Sequence, residues 1–126
     1  MDDLLEFLTA RLREDEEAAL AAAWDPDASR RWVAEPLARR RWGLVDDAGS
    51  GVTIVDPANA DAAGVARHIE RHDPAQVLRA VAAQRRLVEY IEEQLGAGPE
   101  DKLAHALQVL ALAYSGHPDY QAAWRP

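Results

Sequence analysis

The chain of 126 residues has no cysteine, a single lysine at position 102, one methionine and one phenylalanine. Without cysteine, disulfide bonds, thiol catalysis and cysteine-ligated zinc sites are all excluded. No apolar run is long enough to span a bilayer, and the N-terminal sequence MDDLLE lacks the basic start and apolar core of a signal peptide. These absences predict a soluble cytoplasmic protein with no membrane partner.

Positive charge is also scarce, because 14 basic residues stand against 22 acidic ones and the formal net charge is −8. The phosphate backbone of nucleic acids rewards basic surfaces, so this composition argues against non-specific nucleic-acid binding. A chain of this length can bury roughly two thirds of the surface that its unfolded form exposes. We therefore expect a single domain that spans residues 1–126.

The most strongly patterned stretch is a predicted helix over residues 73–95. Asp73 can accept hydrogen bonds from free backbone N–H groups at the N-cap, Pro74 suits the first helical position, and Gln76 occupies the capping-box position. Apolar side chains then recur at spacings of three and four, which predicts one broad buried face. These residues are Val77, Val81, Val88, Ile91 and Leu95, with Leu78 and Leu87 widening the stripe.

The last helix of the chain is predicted over residues 99–115, followed by a tail over 116–126. Gly96 offers a stop for the preceding helix, and the loop GAG is short enough to require an antiparallel neighbour. Apolar residues lie on most sides of this last helix, so we expect it to be mostly buried. In the tail, Tyr120 and Trp124 lie four residues apart and can fold back as an aromatic latch.

The N-terminal half predicts a helix, a β region and a short helix. The first helix covers residues 1–23 with Asp3 as its N-cap, and the short helix covers 59–72 with Asn59 as its N-cap. Between them, residues 30–55 have strand patterns on either side of the turn sequence DDAGSG. The predicted fold is therefore α+β and mostly helical. It has a small antiparallel β-hairpin or three-stranded sheet between the first and second helices, and a C-terminal helical hairpin. An irregular helical bundle is the alternative.

Two histidines on the short helix could form a metal site. His68 and His72 lie four residues apart and so on one helical face, a spacing by which paired histidines hold metals. His117 and Asp119 are the candidates to complete such a site, which would make the protein a metal-dependent enzyme. The alternative is structural: His72 donates a hydrogen bond where two helices meet.

Basic and aromatic residues cluster in one segment only, from position 30 to position 42. In a nucleic-acid binder the arginines would neutralise phosphate while the tryptophans stacked on bases. In the alternative interpretation, the tryptophans pack between the sheet and the helices and the arginines lie near the acidic first helix. The cluster consists of Arg30, Arg31, Arg39, Arg40 and Arg41 with Trp32 and Trp42.

No cofactor and no catalytic nucleophile are predicted. Ser29, Ser50 and Ser115 all fall in breaks or loops, and none follows the strand-to-helix turn that exposes a catalytic hydroxyl. The glycine-containing turn before residue 52 leads into a strand, whereas a phosphate-binding loop opens a helix.

The sequence instead favours a protein–protein interaction module or a homo-oligomer. The apolar stripe of the helical hairpin offers more surface than a small sheet and an alanine-rich short helix can obviously cover. Large exposed apolar patches mark interfaces, and aromatic side chains bring contact area at little entropic cost. The residues expected at such an interface are Leu87, Leu112, Tyr120 and Trp124.

Four segments also carry a family resemblance. The sequences MDDLLEFL, HIERHDPAQVL, QRRLVE and LALAYSGHPDYQAAWRP resemble a family of small uncharacterised proteins from actinobacteria and their phages. The resemblance spans nearly the whole chain and implies its domain limits and its origin, but no activity, since the family is a domain of unknown function. Many members carry a cysteine-rich insertion that suggests a zinc site between the last two long helices. This chain has GAGPED there, so the zinc site does not carry over.

Overall fold

A computed structural model describes residues 2–25, 27–58, 60–95 and 100–126. In chain order, its α-helices and β-strands are α1 (Asp2–Ala22), β1 (Trp32–Pro36), β2 (Trp42–Asp46), β3 (Gly51–Val55), α2 (Ala62–Arg71), α3 (Pro74–Leu95) and α4 (Glu100–Ala111). The predicted α+β class is confirmed, and the sheet between α1 and α2 has three strands. No helix in this described part of the chain is long and apolar enough to cross a membrane.

Contacts divide the chain into two compact units. The first, which we call the helical unit, is formed by Met1–Asp15 and Val81–Pro126, and the second, the sheet unit, by Glu16–Ala80. Helices α1 and α3 contribute residues to both units. The whole sheet and α2 belong to the sheet unit, whereas α4 and the tail belong to the helical unit.

Apolar side chains from α1, α3 and α4 form the core of the helical unit. Spacings of three and four residues bring side chains to one face of a helix, so each helix supplies one row. The buried residues are Leu4, Phe7, Leu8, Val88, Ile91, Leu107 and Ala111. On the other side of α4 and of the short 3₁₀ turn that continues it, Val109 and Leu112 remain 48% and 39% exposed. The prediction that this helix is mostly buried is therefore wrong, because only one of its faces meets the core.

The sheet unit is an antiparallel sheet in the order β1-β2-β3, with α2 against one face. Leu44, Val55 and Ala66 form its buried core, and Trp32 and Trp42 pack against them. The register is regular between β1 and β2 and shifts by a bulge between Leu44 and Val45 where β2 meets β3.

Two carboxylates close the outer edge of β1. The backbone N–H of Trp32 donates to Oδ2 of Asp73 at 2.9 Å, and that of Ala34 donates to Oε2 of Glu70 at 2.6 Å. Oδ1 of Asp73 also accepts from the N–H of Gln76 at 2.8 Å, so its predicted N-cap role is confirmed. Because β2 lies on the other side of β1, these carboxylates take the place that a further strand would occupy.

In the part of the chain that the structure describes, the outer edge of β3 has no such cover. Within the described residues β3 pairs with β2 alone. Gly51, Thr53 and Ile54 are all exposed, Ile54 by 58%. The sheet therefore has one closed edge and one open edge.

The helix starts differ from those that were predicted. Helix α1 begins at Asp2, which places Asp3 inside its first turn instead of at the N-cap. The N-cap of α2 is Asp61, whose carboxylate accepts from the N–H of Gly64 at 2.9 Å, since its side chain reaches the third residue onward. The predicted cap Asn59 and the predicted stop and loop at 96–99 lie outside the described residues.

Replacing Asp73 with alanine tests the closed edge. The change removes a helix cap and leaves the N–H of Trp32 without its acceptor, so we expect the free energy of unfolding to fall by about 2–3 kcal/mol. Urea unfolding measures the loss. Asp61→Ala is the control, because it removes an exposed cap alone and should cost about 1 kcal/mol or less. Equal losses in the two variants would show that the contact with β1 adds nothing.

Candidate functional site

His68 on α2 and His72, which follows the helix as its C-cap residue, are exposed on the sheet unit. The rings of His68 and His72 lie on one face of the helix with their centroids 4.6 Å apart, as their spacing predicted. Glu70, between them in the sequence, is bound to the N–H of Ala34 and points to the sheet. Among the described residues, no three His, Cys, Asp or Glu side chains are placed so that they could hold one metal ion.

The other two metal candidates lie in the helical unit, around a buried arginine. Arg11 on α1 is only 7% exposed. Its Nη2 donates to Oε1 of Glu14 at 2.9 Å, and its Nη1 lies 2.7 Å from Nδ1 and 2.6 Å from Nε2 of His117. Oδ2 of Asp119 is 3.7 Å from the same Nη1. His117 and Asp119 are therefore partners of the Arg11 guanidinium.

His117 is also held from two other sides. The backbone N–H of Asp119 donates to Nδ1 of the ring at 3.1 Å, and Oε2 of Glu14 lies 3.9 Å from Nε2. Arg11 has donors only, so a ring nitrogen of His117 accepts its hydrogen bond. These contacts fasten the tail to α1.

Aromatic rings surround the same place. The ring centroid of Phe7 on α1 lies 5.0 Å from that of Trp124 and 6.0 Å from that of Tyr120. The guanidinium of Arg11 lies 5.1 Å from the Phe7 ring centroid. The predicted folding back of the tail is thus present. Because these two aromatic side chains are half-buried against Phe7, much of their contact area is used inside the helical unit.

A further hydrogen bond joins the turn after α4 to α1. The hydroxyl of Tyr114 donates to Oδ2 of Asp15 at 2.7 Å. Burial of the phenol, together with the neighbouring carboxylate, raises the pKa of Tyr114 well above its ordinary value, which keeps the hydroxyl protonated as a donor. Tyr114 is therefore a structural donor and not a proton-transfer group at neutral pH.

The arginine and tryptophan segment divides between the two ends of β1. Arg31 precedes the strand, whereas Arg39 and Arg40 follow it in the turn before β2. A strand of five residues is about 17 Å long, so the two groups are separated by about that distance. Both arginines of the turn have positive φ, 61° and 60°, which is uncommon for residues other than glycine.

Both tryptophans of this segment are partly used in contacts within the sheet unit. The indole N–H of Trp32 donates to the carbonyl of Ser29 at 3.0 Å, and both rings are half-buried against the core of the sheet unit. The guanidinium of Arg67 lies 5.3 Å from the ring centroid of Trp42. The geometry thus matches the interpretation in which the tryptophans pack between sheet and helix.

Asp46, at the end of β2, organises the hairpin between β2 and β3. It is 3% exposed, and its carboxylate accepts from the N–H groups of Ala48 and Ser50 at 3.0 and 2.9 Å and from the indole of Trp24 at 2.7 Å. Burial by itself raises the pKa of Asp46, but these hydrogen bonds outweigh it, so the pKa lies below the ordinary value. Sequence reasoning missed this role, since the turn composition predicts a hairpin without identifying the buried acceptor.

Exposed apolar side chains are the remaining candidates for a site. In the helical unit, Leu87 and Tyr90 on α3 are 44% and 56% exposed, in addition to Val109 and Leu112 beyond the core. Leu87 and Leu112 were predicted at an interface, whereas Tyr90 was not singled out. The spacing of three between residues 87 and 90 could have indicated it, because it places both on one side of α3.

Replacing Arg11 with methionine should loosen the tail. The change keeps much of the side-chain length but removes the donors that Glu14 and His117 use, so we expect the free energy of unfolding to fall by about 1–3 kcal/mol. Amide hydrogen exchange should become faster over residues 112–126. Arg13→Met is the matched control, because Arg13 is exposed and should change stability by less than about 0.5 kcal/mol. Unchanged exchange in the tail of Arg11→Met would refute the fastening role.

Asp46 should make the thermal stability of the protein depend on pH in the acidic range. Its pKa in the folded state is lowered, so its contribution is fully present above the ordinary pKa of 3.8 and is lost as the pH falls through the folded value. We expect Asp46→Asn to have a lower melting temperature than the parent at neutral pH, with the difference shrinking below about pH 4. Thermal unfolding followed by circular dichroism across this range provides the measurement. A difference that stays constant down to about pH 2 would contradict the argument.

Comparison with known proteins identifies the family but no activity. The family model described as "Family of unknown function (DUF6221)" matches residues 1–126, the whole chain. No curated protein and no solved structure matches the chain significantly. The arrangement described above, with a tail fastened to α1 and a sheet with one closed edge, is therefore that of a member of DUF6221, a family of unknown function, to which this chain belongs.

Proposed function

We propose that this protein is a non-enzymatic interaction module, which binds another protein or a second copy of itself through the outer apolar residues of α3 and of α4 with its 3₁₀ turn. The observation that carries the proposal is the exposure of four large apolar side chains in one unit of the chain. They are Leu87, Tyr90, Val109 and Leu112, each between 39% and 56% exposed. Large apolar side chains left exposed in contiguous patches are typical of association surfaces, and each of the two helices supplies a pair of them.

Helical geometry explains why these side chains are not part of the core. On α4, Leu107 and Ala111 are fully buried. Val109 is two residues from each of them, and two residues turn a helix by about 200°, so its side chain points the opposite way. Leu112 is three residues further on from Val109 and returns to the same side. Val109 and Leu112 therefore lie on the outer face of α4, next to the exposed Lys102 and His105, and are not covered by the elements that bury the inner face.

The polar clusters support the same proposal, because their members bind one another. Arg11 engages Glu14 and His117, and Tyr114 engages Asp15. Such contacts hold elements in place and give none of these groups the free, poised base or acid that catalysis uses. A metal-dependent enzyme that uses His68 and His72, and a nucleic-acid binder, are the less favoured proposals.

Two further statements remain predictions from the sequence. The first is a cytoplasmic location. The second is an origin in an actinobacterium or one of its phages, which follows from the resemblance of the segments quoted above.

Glutamate substitutions test the helical surface. We expect Leu112→Glu and Leu87→Glu each to reduce association by tenfold or more, since a charge buried in an apolar interface must lose its hydration. Light scattering of the purified protein measures self-association, and capture of partners from the native host measures binding to other proteins.

The control variants place the same charge on other exposed positions. Ala113 is exposed beside Leu112, and Ala82 is exposed on α3 at roughly 140° around the helix from Leu87. Ala113→Glu and Ala82→Glu should leave association unchanged. A protein that is monomeric and captures no partner would overturn the proposal. So would capture of a partner protein that survives Leu112→Glu and Leu87→Glu together.

A further inference from the structure

The two edges of the sheet are treated differently by the chain. At the β1 edge, Asp73 and Glu70 accept the outward N–H groups of Trp32 and Ala34 at 2.9 and 2.6 Å. At the β3 edge, no described residue takes this role. An edge strand with free N–H and C=O groups is a template on which another strand can pair.

The open strand also lacks the usual protection against pairing. Natural edge strands are commonly blocked by lysine, proline or other charged side chains. The sequence of Gly51–Val55 is GVTIV, which has none of these, although 29% of the whole chain is charged. Four of its five residues are β-branched, which favours the extended conformation. β3 is the terminal strand of the three-stranded sheet, and its residues Gly51, Thr53 and Ile54 are exposed.

Closure favours a second copy of the chain as the partner. Each copy has one open edge, because β1 is blocked, so pairing of β3 with β3 ends at two chains instead of growing into a fibre. An uncharged strand also meets its own copy without like charges directly opposite one another. The residues of the sheet unit include eight arginines and eleven carboxylates, so only three of the eight net negative charges of the chain fall there. Repulsion between two sheet units is therefore modest.

From these observations we infer that β3 of one chain pairs antiparallel with β3 of a second copy, which joins two three-stranded sheets into one of six strands about a two-fold axis. The surface used is separate from the helical surface proposed above and does not depend on it. The main-chain groups of β3 provide the hydrogen bonds, and the side chains of Val52 and Ile54 add apolar contact with the partner strand.

Two measurements test this pairing on the full chain. Light scattering over a hundredfold range of concentration should show a monomer–dimer equilibrium. Amide hydrogen exchange over residues 51–55 should slow as the dimer forms, because free edge N–H groups become hydrogen-bonded. Raising the salt concentration should strengthen association, since both copies are acidic and salt screens their repulsion.

Lysine substitutions distinguish the open edge strand β3 from the closed edge strand β1. Ile54→Lys and Thr53→Lys place a charge on the open strand and should weaken dimerisation at least tenfold. Val33→Lys is the matched control, because Val33 is 54% exposed on the same sheet but on the strand whose edge is closed, and it should leave the dimer intact. Thermal unfolding of each variant shows whether it is folded.

Each contrary result is specific. A protein that stays monomeric over the whole range, with fast exchange at residues 51–55, overturns the inference. So does a dimer that survives in folded Ile54→Lys and Thr53→Lys variants, or protection of β3 that appears only when another protein is added. A dimer lost in Leu112→Glu but kept in Ile54→Lys would overturn the strand pairing while supporting the helical surface, so the two proposals fail separately.

Discussion

The carboxylate of Asp73 joins a helix start to an edge strand of the sheet unit. It caps the start of α3 through the N–H of Gln76 and fixes the start of β1 through the N–H of Trp32. Helix and strand are thereby held by one rigid group, because a carboxylate has two oxygens and can accept from two elements at once. Glu70 repeats the arrangement one pleat further along β1. The sheet therefore depends on acidic side chains from helices at an edge where a further strand would ordinarily provide the acceptors.

Helix starts and strand patterns could be predicted where the signal is local. The cap at Asp73 follows from its neighbours Pro74 and Gln76, and the confirmed three-stranded sheet follows from alternating residues around the DDAGSG turn. What could not be predicted are contacts between residues far apart in the chain. The bonds from Glu70 to β1 and from Arg11 to His117 join residues that are 36 and 106 positions apart, and no local pattern indicates them.

The sequence pattern also overestimated the burial of the last helix. An apolar helix is covered only as far as its neighbours reach, and α4 has neighbours on one face. Amphipathic patterning gives the side that faces a core but not the number of elements available to cover the rest. Tyr90 and Val109 became visible as exposed side chains for this reason, whereas the aromatic residues of the tail proved to be partly enclosed around Phe7.

The turn between β1 and β2 places two arginines in a backbone conformation that glycine or asparagine adopts more readily. Arg39 and Arg40 have φ near 60°, in a region that costs an L-residue with a side chain roughly 1–2 kcal/mol. Exchange of either residue for glycine would relax the backbone at the turn but delete a cation from an already acidic chain. Stability and local charge are thus in opposition at this turn, because a variant stabilised by glycine at either position would also be more acidic.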